Sequence, residues 1–142
     1  MSAPPSNRQE FRLAEGGCID RERVFGFSFN RRRYQGHAGD TLASALLANG
    51  VRLVGRSFKY HRPRGIFGAG PEDPNAWLQI GEGGREVPNA PATTAELHDG
   101  LTARSPNCWP TVGFDLGALN DRLSRLLPAG FYYKTFMAPG FL

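Results

Sequence analysis

The sequence predicts an α+β fold in which a mixed sheet packs against one main helix. Phenylalanines recur at every second position of residues 24–29, so a strand there carries one strongly apolar face. Leucine and alanine recur at helical spacing in residues 41–49, which predicts an amphipathic helix. The chain has 142 residues and 40% hydrophobic content, which suits one compact domain with a segment outside its core.

A β-hairpin is predicted around the first strand. Residues 24–29 form its first arm, and Asn30 with the arginines at 31–33 makes a polar reversal. Residues 34–37 then return antiparallel as the second arm.

The main helix has start and stop signals in the sequence. Asp40 is predicted as its N-cap, residues 41–49 as its body and Gly50 as its left-handed stop. Leu42 and Leu46 share one face, so we expect this face to be buried against the sheet.

Shorter alternating segments predict the remaining strands. These lie at residues 51–53, 77–80 and 93–97. The glycines of residues 81–84 indicate a turn, and residues 87–91 are predicted to be irregular.

Both ends of the chain are predicted to lie outside the core. Residues 1–20 are rich in proline, serine and charge, which predicts a flexible leader.

Asp115 caps a predicted helix that Pro128 ends, and aromatic residues dominate positions 130–137. Exposed aromatics usually mark a contact surface, so residues 106–142 are predicted to dock on a partner or a following domain. A self-contained aromatic cluster is the alternative. The residues predicted to contact the partner or cofactor are Tyr132, Tyr133 and Lys134.

Charge and cysteine content limit the functional classes. The net charge is +4 and nearly all cations are arginine, which favours acidic partners or cofactors. Cys18 and Cys108 lie far apart and form no CxxC pair, which predicts two reduced thiols and no zinc site. No apolar run approaches the roughly 20 residues that span a bilayer, and residues 1–17 lack a targeting pattern. We therefore expect a soluble cytoplasmic protein without membrane contact.

One basic loop concentrates the positive charge. No acidic residue lies between Asp40 and Glu72, where cations alternate with aromatic side chains. Such a loop can contact the phosphates of a neighbouring dinucleotide or flavin, or an acidic surface of a partner subunit. One alternative is a solvated loop. Another is a single-stranded nucleic-acid site, but the modest overall charge disfavours nucleic-acid binding. The residues predicted to make partner or cofactor contacts are Arg56, Lys59, Tyr60, His61, Arg62 and Arg64.

The remaining candidates have simpler structural interpretations. Asp40 is an N-cap rather than a catalytic base, and the Glu72–Asp73 pair is a solvated turn rather than an acid/base dyad. The histidines lack a spaced metal-ligating companion, and no Ser–His–Asp constellation is indicated. No catalytic residue and no metal site is therefore predicted.

Four segments give the chain a family resemblance. They are GDTLASALLANG at 39–50, VGRSFKYHRPRGI at 54–66, PNCWP at 106–110 and AGFYYKTFM at 129–137. The order of hairpin, helix and loop resembles the β-grasp ferredoxins over residues 23–100. Together the segments resemble the N-terminal part of the alpha subunit of heterotetrameric sarcosine oxidase.

The resemblance implies a fold and a molecular setting. Residues 21–105 would form a β-grasp, ferredoxin-like domain, followed by a C-terminal helix and the aromatic tail. The implied enzyme demethylates sarcosine oxidatively, with NAD, FAD and FMN held elsewhere in the assembly and tetrahydrofolate accepting the one-carbon unit. The implied partners are the remainder of the alpha subunit and the other sarcosine oxidase subunits.

The resemblance also places four lost cluster ligands. In related amine dehydrogenases, a loop like RPRG-x-F continues into a Cys-x4-Cys-x2-Cys run that holds a 2Fe–2S cluster, with another cysteine further on. The corresponding positions here are Gly68, Asp73, Ala76 and Thr93. Because a cluster needs thiolate or imidazole ligands, the resemblance implies a segment that binds no cofactor itself.

Three functional hypotheses follow. The first is a non-catalytic structural or interaction module of a sarcosine oxidase alpha subunit. The second is an iron–sulfur electron-transfer subunit of a related amine dehydrogenase with unconventional ligands. The third is a small nucleic-acid-binding module.

Overall fold

The computed structural model describes residues 9–122, and it confirms the predicted α+β class. One sheet of five strands has the order β2-β1-β7-β5-β6, and β3 and β4 form a separate pair. The strands β1 to β7 are Asp20–Phe29, Arg32–Ala38, Gly55–Arg56, Pro63–Arg64, Trp77–Ile80, Val87–Pro91 and Thr102–Arg104. The helices are α1 at Leu42–Ala48 and α2 at Leu119–Arg122, with short 3-10 turns at Gly83–Arg85 and Leu116–Ala118.

The predicted hairpin is confirmed as the antiparallel pair β1 and β2. Its reversal uses Asn30 and Arg31, whose φ angles of 50° and 67° lie in the left-handed region. Two successive residues of this conformation match the right-handed twist of the flanking strands. Arg31 therefore lies in the turn, whereas Arg32 and Arg33 already belong to β2.

The predicted helix is confirmed, but the predicted N-cap is wrong. The cap is Thr41, whose hydroxyl accepts the Ser44 amide while the Ser44 hydroxyl accepts the Thr41 amide. This reciprocal pair satisfies two amides at the helix start. Asp40 is instead buried, where its carboxylate accepts the His37 amide at 2.8 Å. Gly50 has a φ of 75°, as the predicted left-handed stop requires.

Strand β7 completes the main sheet, although no pattern in the sequence predicts it. It lies between β1 and β5, parallel to β1 through Ser28 opposite Thr102 and antiparallel to β5 through Ile80 opposite Ala103. The two sides of the sheet are therefore joined by a segment of only three residues.

Three of the shorter assignments differ from the prediction. Residues 51–53 form no strand, because the Val51 amide turns back to the Leu46 carbonyl. Residues 93–97 are not a strand either, since the Ala95 amide returns to the Pro91 carbonyl in a turn. Residues 87–91, predicted to be irregular, form β6 against β5. The predicted strand at 77–80 is confirmed as β5.

The hydrophobic core contains the buried face of α1 and the inward side chains of the sheet. Leu42 and Leu46 of α1 and Leu78 of β5 are fully buried there, together with Leu97 and Leu101 from the connecting segments. Burial of a leucine side chain contributes about 2 kcal/mol, so this cluster dominates the apolar stabilisation.

Part of the predicted leader packs against the domain. The Phe11 amide donates to the Ala48 carbonyl, and the Phe11 ring lies under the Arg52 guanidinium at 5.2 Å. Arg12 donates through both terminal nitrogens to the Asp40 carboxylate, with the shorter bond at 2.6 Å. The division of the chain at residues 20 and 105 stays a prediction.

At the other end, Asp115 accepts the Gly117 amide at the start of the 3-10 turn, as its predicted capping role requires. The remainder of the predicted helix and the aromatic tail with Tyr132, Tyr133 and Lys134 lie outside the described residues. No helix within residues 9–122 combines the length and apolar character needed to cross a bilayer.

Candidate functional site

Three of the predicted ligand positions lie in one loop, residues 67–76, and the fourth lies beside it. The loop contains Gly68, Asp73 and Ala76, and Thr93 follows β6. The Thr93 hydroxyl donates to the carbonyl of loop residue 70 at 2.8 Å. The structure thus brings the four positions together, although their assignment as former cluster ligands stays a prediction.

Asp73 organises this loop through both of its carboxylate oxygens. Oδ2 accepts the amides of Phe67 at 2.6 Å and Gly68 at 2.5 Å. Oδ1 accepts the amides of Asn75 and Ala76, each at 2.7 Å. The residue is only 3% exposed, so the interpretation of the Glu72–Asp73 pair as a solvated turn is wrong for Asp73.

These amides keep the buried carboxylate ionised. Burial alone would raise the pKa of Asp73, but the amides of Gly68, Asn75, Ala76 and Phe67 outweigh it and lower the pKa to about 2. Asp73 is therefore a carboxylate throughout the physiological pH range, and it is held by backbone dipoles.

The basic loop, residues 56–64, packs against the segment that follows β7. Arg56 Nε donates to the Val112 carbonyl at 2.9 Å, and its Nη1 donates to the His61 carbonyl at 2.8 Å. His61 Nδ1 lies 2.7 Å from Asp115 Oδ2. We call this set of contacts the clasp. It uses two of the residues that were predicted to face a partner or cofactor.

Asp115 is the centre of the clasp. Its side chain is fully buried, and Oδ1 accepts the amides of Trp109 at 2.9 Å and Gly117 at 3.2 Å. Burial would raise the pKa of Asp115, but the Trp109 amide, the His61 imidazole and the Gly117 amide together lower it. The carboxylate thus fixes the segment around Trp109 to the basic loop.

The other predicted contact residues also have internal partners. Arg62 Nε donates to Asp121 at 2.8 Å on the surface, and its guanidinium lies 4.9 Å from the centre of the Tyr60 ring. The Lys59 ammonium lies 5.5 Å from the same ring, and Arg64 donates to the Asn75 side chain. Contact of these residues with a partner or cofactor stays a prediction.

Gly117 is required for the clasp, because a Cβ atom there would lie 2.3 Å from the His61 ring. We expect Gly117→Ala to lower the free energy of unfolding by about 2 kcal/mol through this overlap. In a His61→Ala background most of that loss should disappear, which gives a coupling energy of about 1 kcal/mol or more in a urea-unfolding cycle.

Gly113→Ala is the matched control for this cycle, because no atom lies within 4 Å of a Cβ atom added there. It should leave stability nearly unchanged in both backgrounds. Equal losses for Gly117→Ala with and without the imidazole would show that the ring is not packed on this glycine.

A second feature of the clasped segment is an exposed apolar surface. It consists of Trp109, Phe114, Leu116 and Leu119, which are 67%, 67%, 44% and 56% exposed. We call it the 109–119 surface. The Leu116 amide donates to the Trp109 carbonyl at 2.8 Å, so the backbone that carries these side chains is fixed.

The described residues offer no convergent metal ligands. Within residues 9–122, no group of three or more histidine, cysteine, aspartate or glutamate side chains is placed to hold a metal ion. Both cysteines are free, with Cys18 exposed and Cys108 half-buried. Burial raises the pKa of the Cys108 thiol, and the Asp115 carboxylate adds to that effect. Neither thiol belongs to the 67–76 loop.

The fold agrees with a family match. The chain belongs to the family of 2Fe–2S iron–sulfur cluster binding domains, which matches residues 22–108. It is 60% identical over 129 residues to the sarcosine oxidase subunit alpha of Rhizobium meliloti (strain 1021), and 42% identical over 91 residues to that of Corynebacterium sp. (strain U-96). The predicted resemblance to the sarcosine oxidase alpha subunit is thereby confirmed.

The chain corresponds to a small part of these relatives. The alignments cover 91% and 62% of this chain, but 13% and 9% of the two alpha subunits. Among solved structures, L-proline dehydrogenase from P. horikoshii has a TM-score of 0.48 and 23% identity, over 65% of this chain and 17% of that chain.

The residues present do not fit the cluster that the family name implies. A 2Fe–2S cluster is held by four thiolates, or by imidazoles in place of two of them. The predicted positions hold a glycine, an alanine, a threonine bonded to a carbonyl and an aspartate whose oxygens already accept loop amides. The chain contains two cysteines in total, and neither lies at one of these positions.

Proposed function

We propose that this chain is a non-catalytic interaction module of a sarcosine oxidase alpha subunit. The exposed 109–119 surface carries the proposal, because several exposed aromatic and aliphatic side chains on one hydrogen-bonded segment are typical of a contact site. The similarity to sarcosine oxidase alpha subunits supplies the molecular setting.

The clasp supports this role by preorganising the surface. Asp115 bonds the amide of Trp109, and the same carboxylate is fixed by His61 and lies 3.6 Å from Arg56 Nε. A contact surface that is ordered before binding loses less conformational entropy when the partner arrives. In this proposal the basic loop acts mainly by positioning the aromatic residues.

The proposed partners are the remainder of the alpha subunit and the other sarcosine oxidase subunits. NAD, FAD and FMN would be bound elsewhere in that assembly, and this segment would bind none of them. We place the assembly in the cytoplasm, where the free thiols of Cys18 and Cys108 would stay reduced.

The test is a pair of substitutions in the full-length subunit, Trp109→Ser with Phe114→Ser. We expect association with the other subunits to weaken at least about tenfold, because buried aromatic anchors dominate interface energies. Association is measured by co-purification and by titration of the purified subunits. Since both side chains are exposed, the fold should persist in circular dichroism.

Phe67→Ser is the matched control, because Phe67 is also strongly exposed but lies in the 67–76 loop. It should leave association unchanged. Normal assembly of the Trp109 and Phe114 double variant would contradict the proposed interaction role.

The family match favours a second candidate, an iron–sulfur electron carrier whose ligands come from outside the 67–76 loop or from another chain. Iron and sulfide analysis of the anaerobically purified full chain distinguishes the two candidates. We expect colourless protein without iron. Two irons per chain and a visible charge-transfer spectrum would establish the carrier instead.

A further inference from the structure

We propose that the Asp73 carboxylate acts as a built-in anion that fills the place of the iron–sulfur cluster in the 67–76 loop. The inference rests on the proposed function, in which this segment binds no cluster. It assigns a role to a residue at one of the four positions that the family resemblance marks as former ligands.

The loop amides form two pairs of consecutive donors aimed at one anion. Phe67 and Gly68 donate to Oδ2, and Asn75 and Ala76 donate to Oδ1. Consecutive amides in a turn create a concave site for anions, and such sites surround phosphates and iron–sulfur centres. In this chain the loop amides form such a concave site, which we call the recess, and it encloses the Asp73 carboxylate.

The charges around the recess also support the role of Asp73 as a built-in anion. No arginine, lysine or histidine in the described part of the chain forms a salt bridge with Asp73. Within residues 9–122, the two other buried carboxylates, Asp40 and Asp115, each have a cationic or imidazole partner. Among the residues that the structure describes, backbone amides alone therefore stabilise the negative charge of Asp73, as a loop built around an anionic centre would.

The neighbouring positions are compatible with a loop that once held ligands. A side chain at Gly68 would first meet the Glu72 carboxylate at 2.9 Å, which is the flexible end of an exposed residue. Thr93 already directs its hydroxyl towards the loop through Gly70. Ala76 is buried beside the Asp73 carboxylate.

The first test is chemical rescue in the full chain. Asp73→Ala leaves the amide donors without an acceptor, and we expect its melting temperature to fall by about 10 °C. Sodium formate should recover several degrees in a saturable manner, whereas sodium chloride at equal ionic strength should not. Wild-type protein and Asp99→Ala, which loses a carboxylate that accepts the Gly26 amide on the exposed surface, should show no saturable response.

The second test restores ligands at the four positions and does not require the alanine variant to fold. The variant Gly68→Cys, Asp73→Cys, Ala76→Cys and Thr93→Cys, treated anaerobically with iron and sulfide, should bind two irons per chain. The corresponding four-serine variant should bind none.

These outcomes separate the inference from the function on which it rests. Absence of formate rescue, or a folded four-cysteine variant without iron, would overturn the role of Asp73 alone. Iron in the wild-type chain would instead overturn the cluster-free module.

Discussion

Gly36→Ala is expected to lower the free energy of unfolding by about 3 kcal/mol, because the position has no room for a methyl group. A Cβ atom there would lie 2.4 Å from Leu97 Cδ2, 3.1 Å from Ala45 Cβ and 3.3 Å from Asp40 Oδ2. Leu97 is fully buried and cannot move away without displacing the core. The loss is measured by urea unfolding.

Gly26→Ala is the matched control, since Gly26 lies in β1 opposite Gln35, next to Gly36 in the hairpin register. Its added Cβ atom would meet only Asp99 Oδ1 at 3.6 Å, which is an ordinary contact. We expect a change within about 0.5 kcal/mol for this variant. Equal stability of the two variants would mean that α1 does not pack closely on β2 at Gly36.

Acid should remove a large part of the stability of the domain. The folded state lowers the pKa of Asp73 from 3.8 to about 2, so its contribution is complete above pH 4 and is lost as the pH falls towards 2. This residue alone accounts for about 2 kcal/mol. The pKa of Asp115 is lowered too. For Asp40, burial opposes ionisation, but Arg12, the His37 amide and Ser44 outweigh burial and lower the pKa.

The measurement is the urea-unfolding free energy at several pH values between 2 and 7. Asp73→Asn should be less stable at neutral pH and should lose less stability between pH 4 and pH 2 than the wild type. Glu22→Gln changes an exposed carboxyl group and should keep the wild-type profile. Parallel profiles for Asp73→Asn and the wild type would show that Asp73 is not stabilised in its ionised form.

The elements that the sequence predicts correctly are local ones. The hairpin of β1 and β2 and the helix α1 depend on periodicity and turn residues within a few positions of each other. Strand β7 has three residues and is defined by its pairing with Ser28, far away in the chain. Periodicity over so short a segment carries little information, and the partner determines the structure.

The candidate site, like the sheet, could be predicted only in part from the sequence. The family resemblance placed the four predicted ligand positions, and the structure brings them together. The buried role of Asp73 was missed, although the dipeptide Asp73-Pro74 is a turn signal in which an aspartate commonly accepts the following amides. The clasp between His61 and Asp115 joins residues that are 54 positions apart, so no local pattern could indicate it.

The central position of β7 has a consequence for biosynthesis. Because β7 joins β1 to β5, the two halves of the sheet keep open edges until Arg104 has left the ribosome. Nascent chains that stall before this point expose the edges of β1 and β5, which favours pairing between neighbouring chains. Translation pauses that occur before Arg104 has emerged from the ribosome should therefore increase the demand for chaperones, whereas pauses after its emergence should not.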